Sequence, residues 1–182
     1  MSADVIMKIC VLGDAGVGKT SLIRRYTVGE FSSDYLSTIG TSVTKKNIVV
    51  NKKSIDLIIW DIAGQKKYNE VRESYYRGAI GALVVCDITR KETFTNLPNW
   101  ISHFRKNVGD VPVLIISNKN DLWAERKFDL CEVDALASKI GTFHIQTSAK
   151  TGEKVEETFL IIAEMALEYG GKKFVKIKKE TN

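Results

Sequence analysis

Apolar positions along the chain fall into two alternating rhythms. Val5 to Leu12, Ile80 to Cys86 and Val111 to Ser117 are apolar almost throughout, which predicts strands buried on both faces. Thr44 to Val50 and Ser54 to Asp61 predict two more strands, joined as a hairpin by Asn51-Lys52-Lys53, and Thr142 to Thr147 a short last one. Lys19 to Val28, Glu92 to Lys106, Leu130 to Ile140 and Lys154 to Tyr169 carry apolar residues at helical spacing, and Gly29 closes the first of them. Phe31 to Ser42 is polar and small with no period and reads as a loop; the charged stretch up to about Arg77 reads as part loop, part short helix. Strands alternating with helices predict an α/β fold, a mostly parallel sheet covered on both faces. Ligands of such sheets bind beyond the carboxyl ends of the strands. Every polar motif falls at such an end: Gly13 to Thr20 after the first strand, Asp61 to Gln65 after the third, Asn118 to Asp121 after the fifth and Ser148 to Lys150 after the sixth.

The first motif, Gly13-Asp14-Ala15-Gly16-Val17-Gly18-Lys19-Thr20, has the G-x-x-x-x-G-K-[ST] spacing of a phosphate-binding loop. Successive backbone N–H groups and a helix N-terminus surround the phosphates, Lys19 reaches the β- and γ-phosphates, and the Thr20 hydroxyl binds Mg²⁺. That loop alone leaves kinases, ATPases and GTPases open. Asp61 ends an apolar run, as does the acid that holds the metal in such hydrolases. Gly64 leaves its N–H free to approach a γ-phosphate, and Gln65 can donate to and accept from an attacking water. In Asn118-Lys119-Asn120-Asp121, the Asp121 carboxylate can accept from both guanine N1–H and the 2-amino group, a donor pair that adenine lacks. Thr147-Ser148-Ala149-Lys150 brings backbone N–H groups and the Lys150 stem to the other side of the base.

Composition narrows the class. At 182 residues, 44% hydrophobic and 27% charged, the chain is an ordinary globular domain without internal repeat, signal peptide or long apolar run. It is expected to be cytoplasmic. Cys10, Cys86 and Cys131 lack metal-ligand spacing and read as reduced core thiols. Five lysines in the last twelve residues (Lys172, Lys173, Lys176, Lys178, Lys179) against Glu180 supply four of the five net positive charges. The body is nearly neutral, which argues against a nucleic-acid binder. No acid or nucleophile is spaced to form a triad with His103 or His144, and Trp100 and Trp123 read as packing residues.

Together the motifs resemble the Ras superfamily of small GTPases, and within it the Rab branch. The resemblance covers about residues 5 to 170 and rests also on Thr38-Ile39-Gly40, Trp60-Asp61-Ile62-Ala63-Gly64-Gln65, Tyr75-Tyr76-Arg77-Gly78-Ala79 and Asp87-Ile88-Thr89. It implies a P-loop fold over residues 1–170, with a six-stranded sheet, one strand antiparallel, and five flanking helices; 171–182 is expected to be a flexible tail. It further implies slow hydrolysis of GTP to GDP with Lys19 and Gln65 as catalytic residues, and Mg²⁺ on Thr20, Thr38 and Asp61. The implied nucleotide contacts, besides Gly13 to Thr20, are Ser21, Phe31, Ser32, Tyr35, Thr38, Ala63, Gly64, Asn118, Lys119, Asp121, Leu122, Ser148, Ala149 and Lys150. Among these, Ser21 offers its N–H to the α-phosphate, Phe31 packs edgewise on the base, Tyr35 closes over the phosphates and Thr38 joins the metal only with a γ-phosphate present. Residues 32–40 and 63–77 would be switches that signal nucleotide state to effectors, exchange factors and activating proteins.

The chain departs from that pattern at Ala15, whose methyl points where an activator's arginine would enter, at Lys66, and at Thr41-Ser42-Val43. It ends Lys179-Glu180-Thr181-Asn182 where relatives carry prenylated cysteines, and Ser2 excludes a myristoyl site. Without a lipid, at most weak electrostatic membrane association through the lysines is expected; the protein is expected to be a monomer. Two rivals remain at this stage. One is a module that binds GTP without hydrolysing it; Gln65 speaks against it. The other is a P-loop kinase; the absence of a lid arginine in the expected loops speaks against that.

Overall fold

The computed structural model describes residues 4–32, 38–65 and 69–180, and for residues 69, 70 and 171–180 the backbone alone. Six strands, β1 (Val5–Leu12), β2 (Thr41–Val50), β3 (Lys53–Ile62), β4 (Gly81–Asp87), β5 (Val113–Asn118) and β6 (His144–Gln146), form one sheet in the order β2-β3-β1-β4-β5-β6. All neighbours run parallel except β2 and β3. The β2–β3 turn is tighter than expected. Lys53 is already in the strand, and Asn51 and Lys52 make the two-residue turn with φ of 49° and 64°, the geometry whose twist matches a hairpin. Strand β2 also begins earlier than its pattern suggests, at Thr41, where pairing with Ile62 and a hydroxyl bond to the Asp61 carbonyl at 3.0 Å extend the ladder.

Helices α1 (Lys19–Val28), α2 (Asn69–Tyr76), α3 (Lys91–Thr95), α4 (Leu97–Val108), α5 (Leu130–Lys139) and α6 (Val155–Glu180) flank the sheet, and a 3-10 helix covers Asn120–Glu125. The single helix expected from Glu92 to Lys106 is two. Pro98 lies in the first turn of α4 and has no N–H to donate to the preceding turn, so the helix restarts there. That division makes six helices where five were expected. Helix α5 opens on a reciprocal capping box between Asp129 and Glu132. Helix α6 spans 26 residues and carries the backbone through the lysine-rich segment. Among the described residues no helix is long and apolar enough to cross a membrane.

Alternation along β1 divides the core. Met7, Ile9 and Val11 face α1 and α6, meeting Leu22, Ile23, Tyr26, Phe159 and Ile162. Cys10 and Leu12 face the other side, with Tyr76, Trp100, Phe104 and Val133 from α2, α4 and α5. Burial pushes the Cys10 and Cys86 thiols up to about 12, so both are inert core groups. Cys131 is a correction: it is exposed in the first turn of α5, where the solvent-facing side of the helix passes.

His144 is a second correction. Its Nδ1 is 2.9 Å from Asp134 on α5 and its Nε2 2.9 Å from the Ser117 hydroxyl on β5, which is 3.5 Å from the Cys86 sulfur. A carboxylate only accepts, so Nδ1 carries the proton of the neutral ring and Nε2 accepts from Ser117. The three residues lie on separate elements, so their spacing in sequence conceals the chain. Ser117 is fully buried, and the arrangement reaches no substrate; it is a structural network.

Two measurements test this packing. Phe159 is fully buried and stacks on Tyr26 with ring centroids 4.1 Å apart; Phe159→Ala should cost about 3–5 kcal/mol of unfolding free energy by denaturant titration. Burial lowers the His144 pKa below its ordinary value, with Lys154 adding to the effect and Asp134 opposing it. The unfolded ring therefore takes its proton first, and the stability held above about pH 6.5 is lost as pH falls through the unfolded and then the folded value. His144→Gln should flatten that slope relative to the wild type, and equal slopes in the two proteins would refute the assignment.

Candidate functional site

The Gly13–Thr20 loop turns from β1 into α1 with Gly18 as the N-cap at φ 96°. A Cβ on Gly18 would stand 2.3 Å from the Asn118 amide nitrogen, so glycine alone allows the two loops to touch. The Lys19 amine is buried and donates to the Gly13 and Asp14 carbonyls at 2.8 and 2.9 Å. Burial pushes its pKa down to about 8 against the opposing pull of Asp61 and Asp14. The loop is braced from behind. The Asp14 carboxylate accepts from Asn96 at 2.7 Å and from the Trp100 indole at 2.8 Å, and the Ala15 carbonyl accepts from Arg90 at 2.8 Å. Trp100 is thus both a core residue and a loop support. Trp123, also read as packing, is half exposed and stacks on Arg126.

At the loop's C-terminal end the Thr20 hydroxyl donates to Asp61 Oδ2, and the Thr38 hydroxyl is 2.9 Å from that of Thr20 and 3.4 Å from Oδ2. Asp61 is buried, which raises its pKa against the hydrogen bonds of Thr20 and Thr38 and the charge of Lys19. Its Oδ1 is buried with no partner. Two hydroxyls and a carboxylate with one orphaned oxygen are hard oxygen donors, a set that fits Mg²⁺. Gly64 lies against the phosphate loop so closely that a Cβ would be 2.4 Å from the Ala15 nitrogen. Arg72 of α2 donates to the Gln65 carbonyl at 2.7 Å and to Ala63 at 3.3 Å, and its guanidinium stacks on Trp100.

The opposite end is built on Asn118. Its amide donates to the Val17 carbonyl at 2.8 Å and accepts from the Thr147 hydroxyl and the Ala149 N–H, both at 3.2 Å. Lys119, at φ 70°, places its amine 2.6 Å from Asp87. Asp121 accepts from the Ser148 hydroxyl at 2.5 Å and lies 4.0 Å from the Lys150 amine. Arg25 of α1 holds the Ala149 carbonyl at 2.9 Å and also donates to that of Lys150.

Between the two ends lies a cavity of about 440 Å³, a volume suited to a small-molecule ligand. Ala15, Gly16, Gly18, Lys19, Thr20, Ser21, Phe31, Ser32, Thr38, Gly64, Gln65, Asn118, Lys119, Asp121, Leu122, Ala149 and Lys150 line it. Gly13, Asp14, Val17, Asp61, Ala63 and Ser148 are outside that lining and, as described above, support it. Tyr35 lies outside the described residues. Arg24 also lines the cavity and pairs with Glu30 at 3.1 Å. The sequence offered a signal for it, since it lies one helical turn after Thr20 on α1. Asp87 had a signal too, because like Asp61 it terminates an apolar run. Arg72 and Arg90 had none: single arginines in polar stretches look solvated until the fold turns them inward.

Comparison with known proteins agrees with this geometry. The profile of the Ras family matches residues 8–168. Ras-related protein Rab-11B of Dictyostelium discoideum is 43% identical over 157 residues, 86% of this chain and 71% of that protein. GTP-binding protein ypt3 of Schizosaccharomyces pombe is 39% identical over 157 residues, 86% and 73% of the two chains. Ras-related protein Rab-13 of Bos taurus is 37% identical over 172 residues, 93% and 85% of the two. A match that runs from the first strand into the last helix, at this identity to Rab proteins, makes the chain a member of the Ras family, a Rab-like small GTPase.

Proposed function

We propose that the cavity binds Mg²⁺-GTP and hydrolyses it slowly to GDP and phosphate, with residues 32–40 and 63–77 as switches that present the nucleotide state to effector, exchange and activating proteins. The observation that carries this reading is that one cavity has the Asp121 carboxylate at one end and the Lys19, Thr20 and Gln65 group at the other. Asp121 would pair with the base, held by Ser148, while Lys150 and Ala149 close the other side. Exchanging adenine for guanine would leave that carboxylate unpaired, a penalty large enough to reject the wrong base. Lys19 would exchange its two carbonyl partners for β- and γ-phosphate oxygens. Thr20 and Asp61, joined by Thr38 in the GTP state, would hold the metal ion, which when bound supplies positive charge to the phosphate oxygens. Gly64, packed on the phosphate loop, would donate its N–H toward the γ-phosphate, and Gln65 would orient the water that attacks it.

The reaction is slow by construction. The segment from Phe31 to Thr38 contains no arginine, and the one arginine that lines the cavity, Arg24, is paired with Glu30. Charge on the transferring phosphoryl group would therefore be stabilised by Lys19, backbone N–H groups and the bound metal without help from an arginine, and an activating protein would have to pass the Ala15 methyl. The protein would act as a monomer in the cytoplasm. Its lysine-rich end would associate reversibly with anionic membrane, at about 1 kcal/mol per lysine near the surface. As for Rab proteins generally, the pathway we assign is membrane trafficking.

Unaided turnover should be on the order of 10⁻⁴ s⁻¹ in single-turnover phosphate release, and slower still in Gln65→Leu; several turnovers per second without a partner would rule the mechanism out. Bound GTP should resist displacement by excess ATP, and Asp121→Ala should weaken GTP binding by about 100-fold or more. Equal displacement by ATP and GTP would return the kinase reading.

A further inference from the structure

Asp87 ends β4 with its carboxylate fully buried, and it is not among the residues that line the cavity. One oxygen accepts from the Thr89 N–H at 2.9 Å and the Thr89 hydroxyl at 2.7 Å. The other is shared between two cations from different halves of the site, the Lys119 amine at 2.6 Å and Arg90 Nε at 3.2 Å. Burial alone would raise its pKa, but Lys119 and Thr89 hold it below the usual range. The same Arg90 guanidinium reaches 2.8 Å to the Ala15 carbonyl with Nη2. A continuous path of charge-assisted bonds thus runs from the residue beside the base, through a buried carboxylate, to the phosphate loop. The guanidinium fixes the 15–16 peptide and polarises it, and Gly16 of that peptide lines the cavity.

We propose that Arg90 is a positioning residue for nucleotide binding, coupling the base half of the site to the phosphate half through Asp87. The inference rests on the reading of the cavity as a guanine-nucleotide site. A bond between the base and Lys119 would steady Asp87, Asp87 would steady Arg90, and Arg90 would hold the loop in the conformation that grips the β-phosphate. The fork geometry matters. One guanidinium reaches the carboxylate with Nε and the carbonyl with Nη2, two donors at a fixed separation that the point charge of a single ammonium does not reproduce. Asp87 keeps Lys119 and Thr89 when Arg90 is replaced, so no buried charge is left unpaired and the fold is retained.

Release of fluorescent GDP, and competition against it by GDP and GMP, tests this in Arg90→Ala, Arg90→Lys and Asp121→Ala. Both Arg90 variants should release GDP about tenfold faster or more, while GMP, which has no β-phosphate for the loop to grip, changes less than about threefold. Failure of lysine to rescue separates the fork from simple charge. Asp121→Ala should weaken GDP and GMP alike, and if it weakens neither, the guanine reading itself fails. With Asp121→Ala behaving as expected, GDP release at the wild-type rate in either Arg90 variant, or equal weakening of GDP and GMP, overturns the coupling.

Discussion

The Asn118 side chain is the joint on which the site depends. It is 1% exposed, and its amide makes three bonds to two other loops: to the Val17 carbonyl after β1, and from the Thr147 hydroxyl and the Ala149 N–H after β6. An amide with donors and an acceptor in fixed positions can do this; a carboxylate, which only accepts, could not satisfy both sides. Its closeness to the phosphate loop is possible because residue 18 has no Cβ. Buried and bonded through both its nitrogen and its oxygen, the amide ties the cavity's walls together.

That joint exists because of strand register. Parallel neighbours place Asp87 beside Asn118, and Val11 beside Asp61, so residues far apart in sequence leave the sheet at one edge. The crossings through helices put the four polar motifs on the same rim. The antiparallel β2 is the exception, and it serves the site differently. By pairing back along β3 it returns Gly40 to the Ala63 N–H at 3.0 Å, which binds the first switch segment to the second next to Asp61.

Gln65 and Phe159 were not equally legible. Strands, their order of burial and the loops that carry chemistry follow from apolar runs, because a strand buried on both faces has no room for polar residues. The phosphate loop's share of the lining was readable as well, since glycine, lysine and threonine at fixed spacing have few other uses together, whereas Ser21, Phe31, Ser32 and Leu122 came from the family resemblance and Arg24 from neither. What the pattern concealed was long-range partnership. Arg72 and Arg90 look like surface charges until α2 and the loop after β4 fold them onto carbonyls of Gln65 and Ala15. The Asp134–His144–Ser117 chain is assembled from three elements and has no spacing to detect. The division of α3 from α4 was readable in Pro98 but was outweighed by the helical spacing around it.

The two ends of the cavity differ in how complete they are. At the base end, charges are already paired: Lys119 with Asp87, Asp121 with the Ser148 hydroxyl and near Lys150. At the phosphate end, Lys19 is held only by neutral carbonyls, and one oxygen of buried Asp61 has no partner at all. A buried cation bonded only to neutral carbonyls and a buried carboxylate with an orphaned oxygen are both costly, and in the reading proposed above one ligand, a phosphate with its metal ion, would relieve both at once. On that reading the base end would provide shape and selectivity at little electrostatic gain, whereas the phosphate end would provide the driving force. Such a division suits a switch: what distinguishes GTP from GDP lies wholly at the end where the charges remain to be matched, and that is the end at which Thr38 and Gln65 meet the cavity.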